Sequence, residues 1–320
     1  MTTPLRRAAL IYNPASGQVS TGRGAAILQA ATTLRAAGVE ALVIETNGPG
    51  TGTARAREAA EQGCDAVIAC GGDGTVHEVA QALVGTEVGL GVLPLGTANA
   101  LAADLGLIAS PPEVARRLLT AARQRIPVGR ISYTDRAGAP AWRYFVVAAG
   151  IGPDALLMYR MDWRLKRRLG YLLYLIEATR IWATHPFPLF EATIAENGTG
   201  TSRALEVSQL LAVRVRSFGG ALRQLAPGAT VHNGHLQLIA FQTRSRLDYM
   251  RFLMAVLAGR PSFKGSVQLL EATSVECQAP AAAKGRLFVE ADGEVLGSAP
   301  VRMEVVHDAL TLLVPEGAKP

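Results

Sequence analysis

From residue 8 to about residue 123 the chain alternates short apolar runs with longer, Ala-rich stretches. The runs near 8–12, 39–45, 66–70 and 88–93 are brief and almost wholly apolar, the pattern of strands buried on both faces. Between and after them, residues 23–37, 53–62, 76–84, 98–105 and 111–123 read as helices. Strands separated by helices predict an α/β N-terminal domain with a doubly wound parallel sheet. After about Ile126 the text changes. Residues 143–149, 189–195, 206–216, 236–243, 267–276, 287–290, 301–306 and 310–314 read as strands, most of them separated only by turns. They predict a mainly antiparallel β-sandwich C-terminal domain, interrupted by helices over 163–183 and 247–258. The expected division is 1–128 and 129–320, with the boundary near Arg125 to Arg130. The crevice between two such domains is the expected place for a site.

Three strand-to-helix turns in the first half share one grammar. The run Ala66-Val67-Ile68-Ala69 leads into Cys70-Gly71-Gly72-Asp73-Gly74-Thr75. Glycines there let the backbone turn tightly and approach a ligand. The helix that follows points its N-terminal N–H groups at that place, which favours phosphate. Asp73 beside a phosphate is a natural partner for a divalent cation. The strand ending at Tyr12 runs into Asn13-Pro14-Ala15-Ser16-Gly17, and the strand ending at Leu93 runs into Pro94-Leu95-Gly96-Thr97-Ala98-Asn99. In an open parallel sheet all such turns lie at the carboxyl ends of the strands, where ligands bind. One such turn can be structural; three rich in small donors point to a nucleotide.

These segments, in this order and at these intervals, resemble the diacylglycerol kinase catalytic-domain family, which includes bacterial soluble lipid kinases and is related to the sphingosine and ceramide kinases. The resemblance continues through Gly150-Ile151-Gly152-Pro153-Asp154-Ala155, through Gly219-Gly220 followed by Leu225-Ala226-Pro227, and through Asp292-Gly293-Glu294. It covers nearly the whole chain. It implies the same two-domain architecture, with a C-terminal tail that returns to the first domain. It also implies an ATP-dependent kinase that phosphorylates a lipid hydroxyl at a membrane surface, with ATP and Mg²⁺ as cofactors. Alternatives are a soluble-acceptor kinase of the NAD kinase type, which shares the Gly-Gly-Asp-Gly element, and a regulator that binds nucleotide or lipid without turnover.

By the same resemblance, Asn13, Ser16, Gly17, Thr46, Gly71, Gly72, Asp73, Gly74, Thr75, Glu78, Gly96, Thr97 and Asn99 line the nucleotide site, although Glu78 reads equally as a helix-surface carboxylate. The chain has no Lys before Lys166, so no lysine of the first domain cradles phosphate, and backbone donors must do so. Asp292 and Glu294 are implied to divide two tasks, general base on the acceptor hydroxyl and support of Mg²⁺-ATP; in an extended backbone both side chains would face one way. Asp-Gly also marks hairpin turns. Apolar residues such as Phe145, Met158, Tyr171 and Tyr174 are candidates for the acceptor pocket. The chain departs from the family at Gln18, where a basic residue is common and Arg23 is the nearest substitute. It departs again at Asn233-Gly234, where relatives carry an Asp that anchors a structural Mg²⁺; Asn keeps an oxygen and loses the charge, which weakens a hard-cation site. His232 and His235 nearby read as loop residues.

Composition narrows the class. With 49% hydrophobic and 18% charged residues the 320-residue chain can bury a large core and is not disordered. It holds no run of about 20 apolar residues, and its first residues lack a signal-peptide pattern. Three cysteines without metal-ligand spacing suit a reducing cytoplasm. The net charge of +6 is uneven: residues 1–110 carry six Arg and nine carboxylates, a net of −3, leaving +9 for the remainder. Arg160, Arg164, Lys166, Arg167 and Arg168 precede the apolar run 169–176, a combination that suits an anionic membrane surface or a solvated helix face. No nucleic-acid module accompanies the charge. A second copy of the chain, in a homodimer, is a further candidate partner.

Overall fold

A computed structural model describes residues 4–14, 20–48, 50–160, 171–198, 200–218, 225–279 and 287–317. The chain separates into two compact units, one made of residues 1–128, 217–220 and 307–320, the other of 129–216 and 221–306.

The first unit is a five-stranded parallel sheet in the order β2-β1-β3-β4-β14. Its strands are β1 (Arg7–Tyr12), β2 (Glu40–Glu45), β3 (Ala66–Gly71), β4 (Gly89–Pro94) and the end of β14 (Glu294–Val314). Ala8 to Ile11 are fully buried, and so, to within 1%, are Ala66 to Cys70, as helices on both faces require. Those helices are α1 (Ser20–Ala36), α2 (Thr51–Glu61), α3 (Asp73–Leu83), α4 (Ala100–Asp104) and α5 (Pro111–Leu119). Register aligns the carboxyl ends: Tyr12 lies beside Glu45 on one side and Cys70 on the other, and Gly71 beside Pro94. The turns after β1, β2, β3 and β4 therefore open along one edge. Ser16 and Gly17 lie outside the described residues.

The second unit is antiparallel, in the order β14-β13-β7-β10-β11-β12-β8-β9, with β5 and β6 as a hairpin beside it. The strands are β5 (Ala122–Thr134), β6 (Pro140–Phe145), β7 (Ala148–Ile151), β8 (Phe190–Glu196), β9 (Ser202–Val207), β10 (Gln209–Val213), β11 (Leu236–Phe241), β12 (Val267–Cys277) and β13 (Phe288–Ala291). A further pairing of Ser274–Cys277 with Val301–Glu304 joins β12 back to β14, so the sandwich closes along one edge. Its core includes Ile131, Phe145, Phe190, Leu238, Val275 and Met303. Helices α6 (Pro153–Arg160), α7 (Tyr171–Thr184) and α8 (Arg246–Leu257) accompany the sheet.

Several elements differ from the sequence reading for visible reasons. The stretch 125–130 lies inside β5, whose Ile126, Val128 and Ile131 are buried between more exposed neighbours. The apolar run 143–149 is two strands, because the amides of Val146 and Val147 leave the ladder and donate to the Asp292 carboxylate. The run 206–216 breaks at Ser208, whose amide donates to Phe241 and whose hydroxyl lies 2.8 Å from that of Tyr249. The runs 301–306 and 310–314 are one strand, bent at Asp308, where φ is +48° and Arg125 binds the side chain at 3.0 Å. Phe145 is a fully buried core residue packed on Gly129. The side chains of Tyr171 and Tyr174 lie outside the described residues.

Candidate active site

In the first unit the glycine turn after β3 is built by close packing. A β-carbon on Gly71 would lie 2.3 Å from the Thr75 hydroxyl oxygen, and one on Gly96 would lie 2.4 Å from the Cα of Gly72. Only backbone fits between the turn after β3 and the turn after β4. Gly72 caps α3, its carbonyl accepting the amides of Thr75 and Val76. The Asp73 carboxylate accepts the Ala100 amide at 2.7 Å, so this one side chain stands at the start of α3 and caps α4. Two helix N-termini favour its negative charge. Asn99, left-handed at φ +50°, closes the second turn on itself: its amide oxygen accepts from Gly96 N–H and its amide nitrogen donates to the Gly96 carbonyl, both at 2.9 Å. Thr97 is exposed beside it.

Two further positions act on the turn after β2. The Glu78 carboxylate accepts the amides of Gly50 and Gly52 at 2.8 and 2.7 Å, and its backbone carbonyl accepts the Thr53 hydroxyl. Glu78 therefore caps α2, whose own N-cap residue, Gly50, has no side chain to offer. Thr46 is 3% exposed, its amide donates to the Tyr12 carbonyl, and its hydroxyl has no hydrogen-bond partner among the described residues. An orphaned buried hydroxyl and facing glycine backbones fit a phosphate-bearing nucleotide, and Asp73 fits the divalent cation that accompanies one. Asn13, beyond the end of β1, completes the row.

In the second unit, Ala291 pairs with Glu294 and leaves Asp292 and Gly293 as a two-residue hairpin turn, with φ of +48° and +83°. Both values are what a type I′ turn demands. The expectation that an extended backbone sets both carboxylates on one side is corrected by that turn. Asp292 is 8% exposed. Its carboxylate accepts three backbone amides, those of Val146, Val147 and Ala148, at 2.9–3.0 Å. Glu294 is half-buried at the start of β14.

Behind the turn lies a cluster that the sequence did not reveal. Arg214 is 1% exposed; burial lowers its pKa to about 10, and the Asp292 charge opposes that shift. Its guanidinium donates to the carbonyls of Val231, Asn233 and His235. The Asn233 side-chain amide donates to the Gly228 carbonyl at 2.8 Å. Donors thus occupy the backbone carbonyls around Asn233, and a buried positive charge stands among them. These residues do not fit Mg²⁺. Asp154 and Glu290 form a second buried group. Asp154 folds over Gly150, the cross-strand partner of Glu290, and neither of its oxygens has a well-formed hydrogen bond among the described residues. Burial pushes Asp154 up to about 7, opposed only in part by the nearby amides of Ala155 and Asp154. Glu290 is held well above the carboxylate range by burial and by the Asp154 charge, although it accepts the Gly293 amide at 2.9 Å. Arg214 had one signal, a cation flanked by the apolar Val213 and Val215; Asp154 sat in the turn Gly150–Ala155 with no role attached.

A glycine-rich turn on a parallel sheet, in one chain with an antiparallel β-sandwich, is the arrangement that the following relatives share. The family model "Diacylglycerol kinase catalytic domain" matches residues 7–131, and "YegS C-terminal NAD kinase beta sandwich-like domain" matches 146–314. A Chromohalobacter salexigens protein named "Probable lipid kinase YegS-like" is 31% identical over 97% of this chain and 93% of its own length. The Mycobacterium tuberculosis protein "Diacylglycerol kinase" is 30% identical over 80% of this chain and 79% of its own. Among solved structures, a Bacillus anthracis diacylglycerol kinase covers 99% of this chain and 100% of its own at a TM-score of 0.70 and 18% identity. Yeast NADH kinase covers 99% and 85% at a TM-score of 0.51 and 10% identity. The chain belongs to the diacylglycerol kinase catalytic-domain family and is an enzyme of the kinase class.

Proposed function

We propose that this kinase transfers the γ-phosphate of ATP to a lipid hydroxyl, diacylglycerol or a related lipid, presented at a membrane surface. The observation that carries the nucleotide half is the Gly72–Gly96 approach with Asp73 between two helix N-termini. Backbone N–H groups there take the place of the absent lysine in cradling phosphate. Asp73 would hold Mg²⁺, which supplies neutralising charge at the phosphates when bound. Thr46, Thr75 and Thr97 offer hydroxyls to the nucleotide, while Asn99 and Glu78 shape the two neighbouring turns. Asp292 and Glu294 are the carboxylates proposed to receive the acceptor proton, a task that requires placement within hydrogen-bond reach. The lipid acceptor itself is supported by the relatives' names and by the long match to them.

The test is transfer from labelled Mg²⁺-ATP in mixed micelles containing diacylglycerol, sphingosine, ceramide or phosphatidylglycerol, with NAD as the soluble control. Label in one lipid product is the expected result and names the acceptor. Label in NAD alone overturns the lipid reading.

A further inference from the structure

We propose that the outward face of α8 (Arg246–Leu257) is a docking surface for an anionic lipid membrane. One side of this helix is anchored. Tyr249 stacks on Phe241 with ring centroids 4.6 Å apart, Phe252 meets Phe241 edge-on at 5.1 Å, and Val256 is buried. The opposite side is apolar and uncovered: Leu247 is 55% exposed, Leu253 40%, Met254 58% and Leu257 46%. At about 100° per residue these four fall within an arc of roughly 120°. A surface helix ordinarily presents polar residues on that side. Four large apolar side chains gathered there mark a contact.

Charge identifies the partner. Residues 244–264 hold Arg244, Arg246, Arg251, Arg260 and Lys264 against a single acid, Asp248. All five basic residues are exposed, and of them Arg246 also donates to the carbonyls of Trp182 and His185. The acid is partly engaged by the protein: one carboxylate oxygen accepts the hydroxyls of Thr243 and Ser266 at 2.9 Å, and the other lies 3.6 Å from the Arg251 guanidinium. An apolar stripe rimmed by cations matches an anionic bilayer, whose acyl boundary takes the Leu and Met side chains and whose headgroups take the Arg. A second copy of the chain would bring the same positive face against itself. The inference rests on the lipid-acceptor reading for its purpose, since it would bring the enzyme to where such an acceptor resides.

The experiment is co-sedimentation of the full chain with phosphatidylcholine vesicles, with and without phosphatidylglycerol. The expected result is binding to the anionic vesicles, weaker by about tenfold or more on neutral ones or at high salt. Met254→Glu with Leu257→Glu should lose about tenfold or more in vesicle affinity at an unchanged melting temperature, because both side chains face water. It should also keep turnover on a short-chain, monomeric diacylglycerol. Should that variant fail to fold, Arg244→Glu with Arg260→Glu must show the same loss on anionic vesicles. Vesicle binding is read without catalysis, so an enzyme that phosphorylates no lipid would overturn the acceptor reading and leave the docking result standing. No binding by the natural chain, or binding unaltered by both variants, overturns the proposal. So does a dimer, seen by light scattering, that the first variant dissociates while vesicle binding persists.

Discussion

The Asp73 carboxylate accepts the backbone amide of Ala100 at 2.7 Å, across 27 positions of sequence. This contact ties the turn after β3 to the turn after β4, and it can be tested apart from the metal role proposed for the same side chain. Asp73→Asn keeps an oxygen for the amide and loses the charge. It should retain the fold, with a melting temperature close to that of the natural chain, and lose about a hundredfold or more in turnover. Asp73→Ala removes the cap as well and should cost about 1 kcal/mol of stability. Thermal unfolding beside a kinase assay checks both, and an active Asp73→Asn would remove the metal role.

Glu78 holds the start of α2 through two amides. Glu78→Ala leaves both without that acceptor and should destabilise the first unit by about 1–2 kcal/mol. ATP affinity should weaken with it, because the turn after β2 is released. Glu78→Gln, which keeps one acceptor oxygen, should fall between. Urea denaturation and nucleotide titration measure the two effects.

Asp292 and Glu294 respond differently to removal of charge. Asp292→Asn offers one oxygen where three amides converge and leaves the Arg214 guanidinium without its neighbouring anion. A loss of about 3 kcal/mol follows, so its inactivity would say little about chemistry. Glu294→Gln, at a half-buried position, should unfold like the natural chain. Its turnover is the informative number: abolished transfer with ATP still bound makes Glu294 the base, and normal transfer removes Glu294 from that role.

The buried pair of Asp154 and Glu290 predicts an inverted pH dependence. Asp154 keeps its proton in the folded chain up to about pH 7, whereas an ordinary Asp releases it near 3.8. Between those values the folded state binds more protons than the unfolded one, so stability falls as pH rises. The contribution is full below the lower value and lost through the upper one; the raised Glu290 acts in the same direction. Asp154→Asn should flatten the decline. Urea midpoints of both proteins between pH 4 and 8 test it; parallel curves would sink the idea.

Much of this was readable in the residues. Strands β1, β3 and β4 stand out because runs buried on both faces must be continuously apolar, and the turn Gly71-Gly72-Asp73-Gly74-Thr75 stands out because nothing larger fits. The hairpin at Asp292 was legible as Asp-Gly, but the sequence could not say that three amides converge on Asp292 from 144–146 positions away. Strand β5 was hidden by four arginines, Arg123, Arg125, Arg130 and Arg136, in and around it, which resemble a linker until Arg123 and Arg125 are seen bonding carbonyls. Glu78 read equally well as a surface carboxylate because its partners are backbone amides, which leave no mark in a sequence.

The last strand carries an unexpected burden of timing. Within the first unit, β4 pairs in parallel with the end of β14 at Leu90 and Leu312, and the Leu313 side chain packs over Gly89. A ribosome making this protein delivers the Gly-Gly-Asp-Gly turn early, yet the edge of β4 beside it stays open until residues 307–314 emerge. During that interval the nascent chain displays an unpaired, apolar strand edge, the kind of surface that invites wrong partners. The part of the enzyme written first is the part finished last.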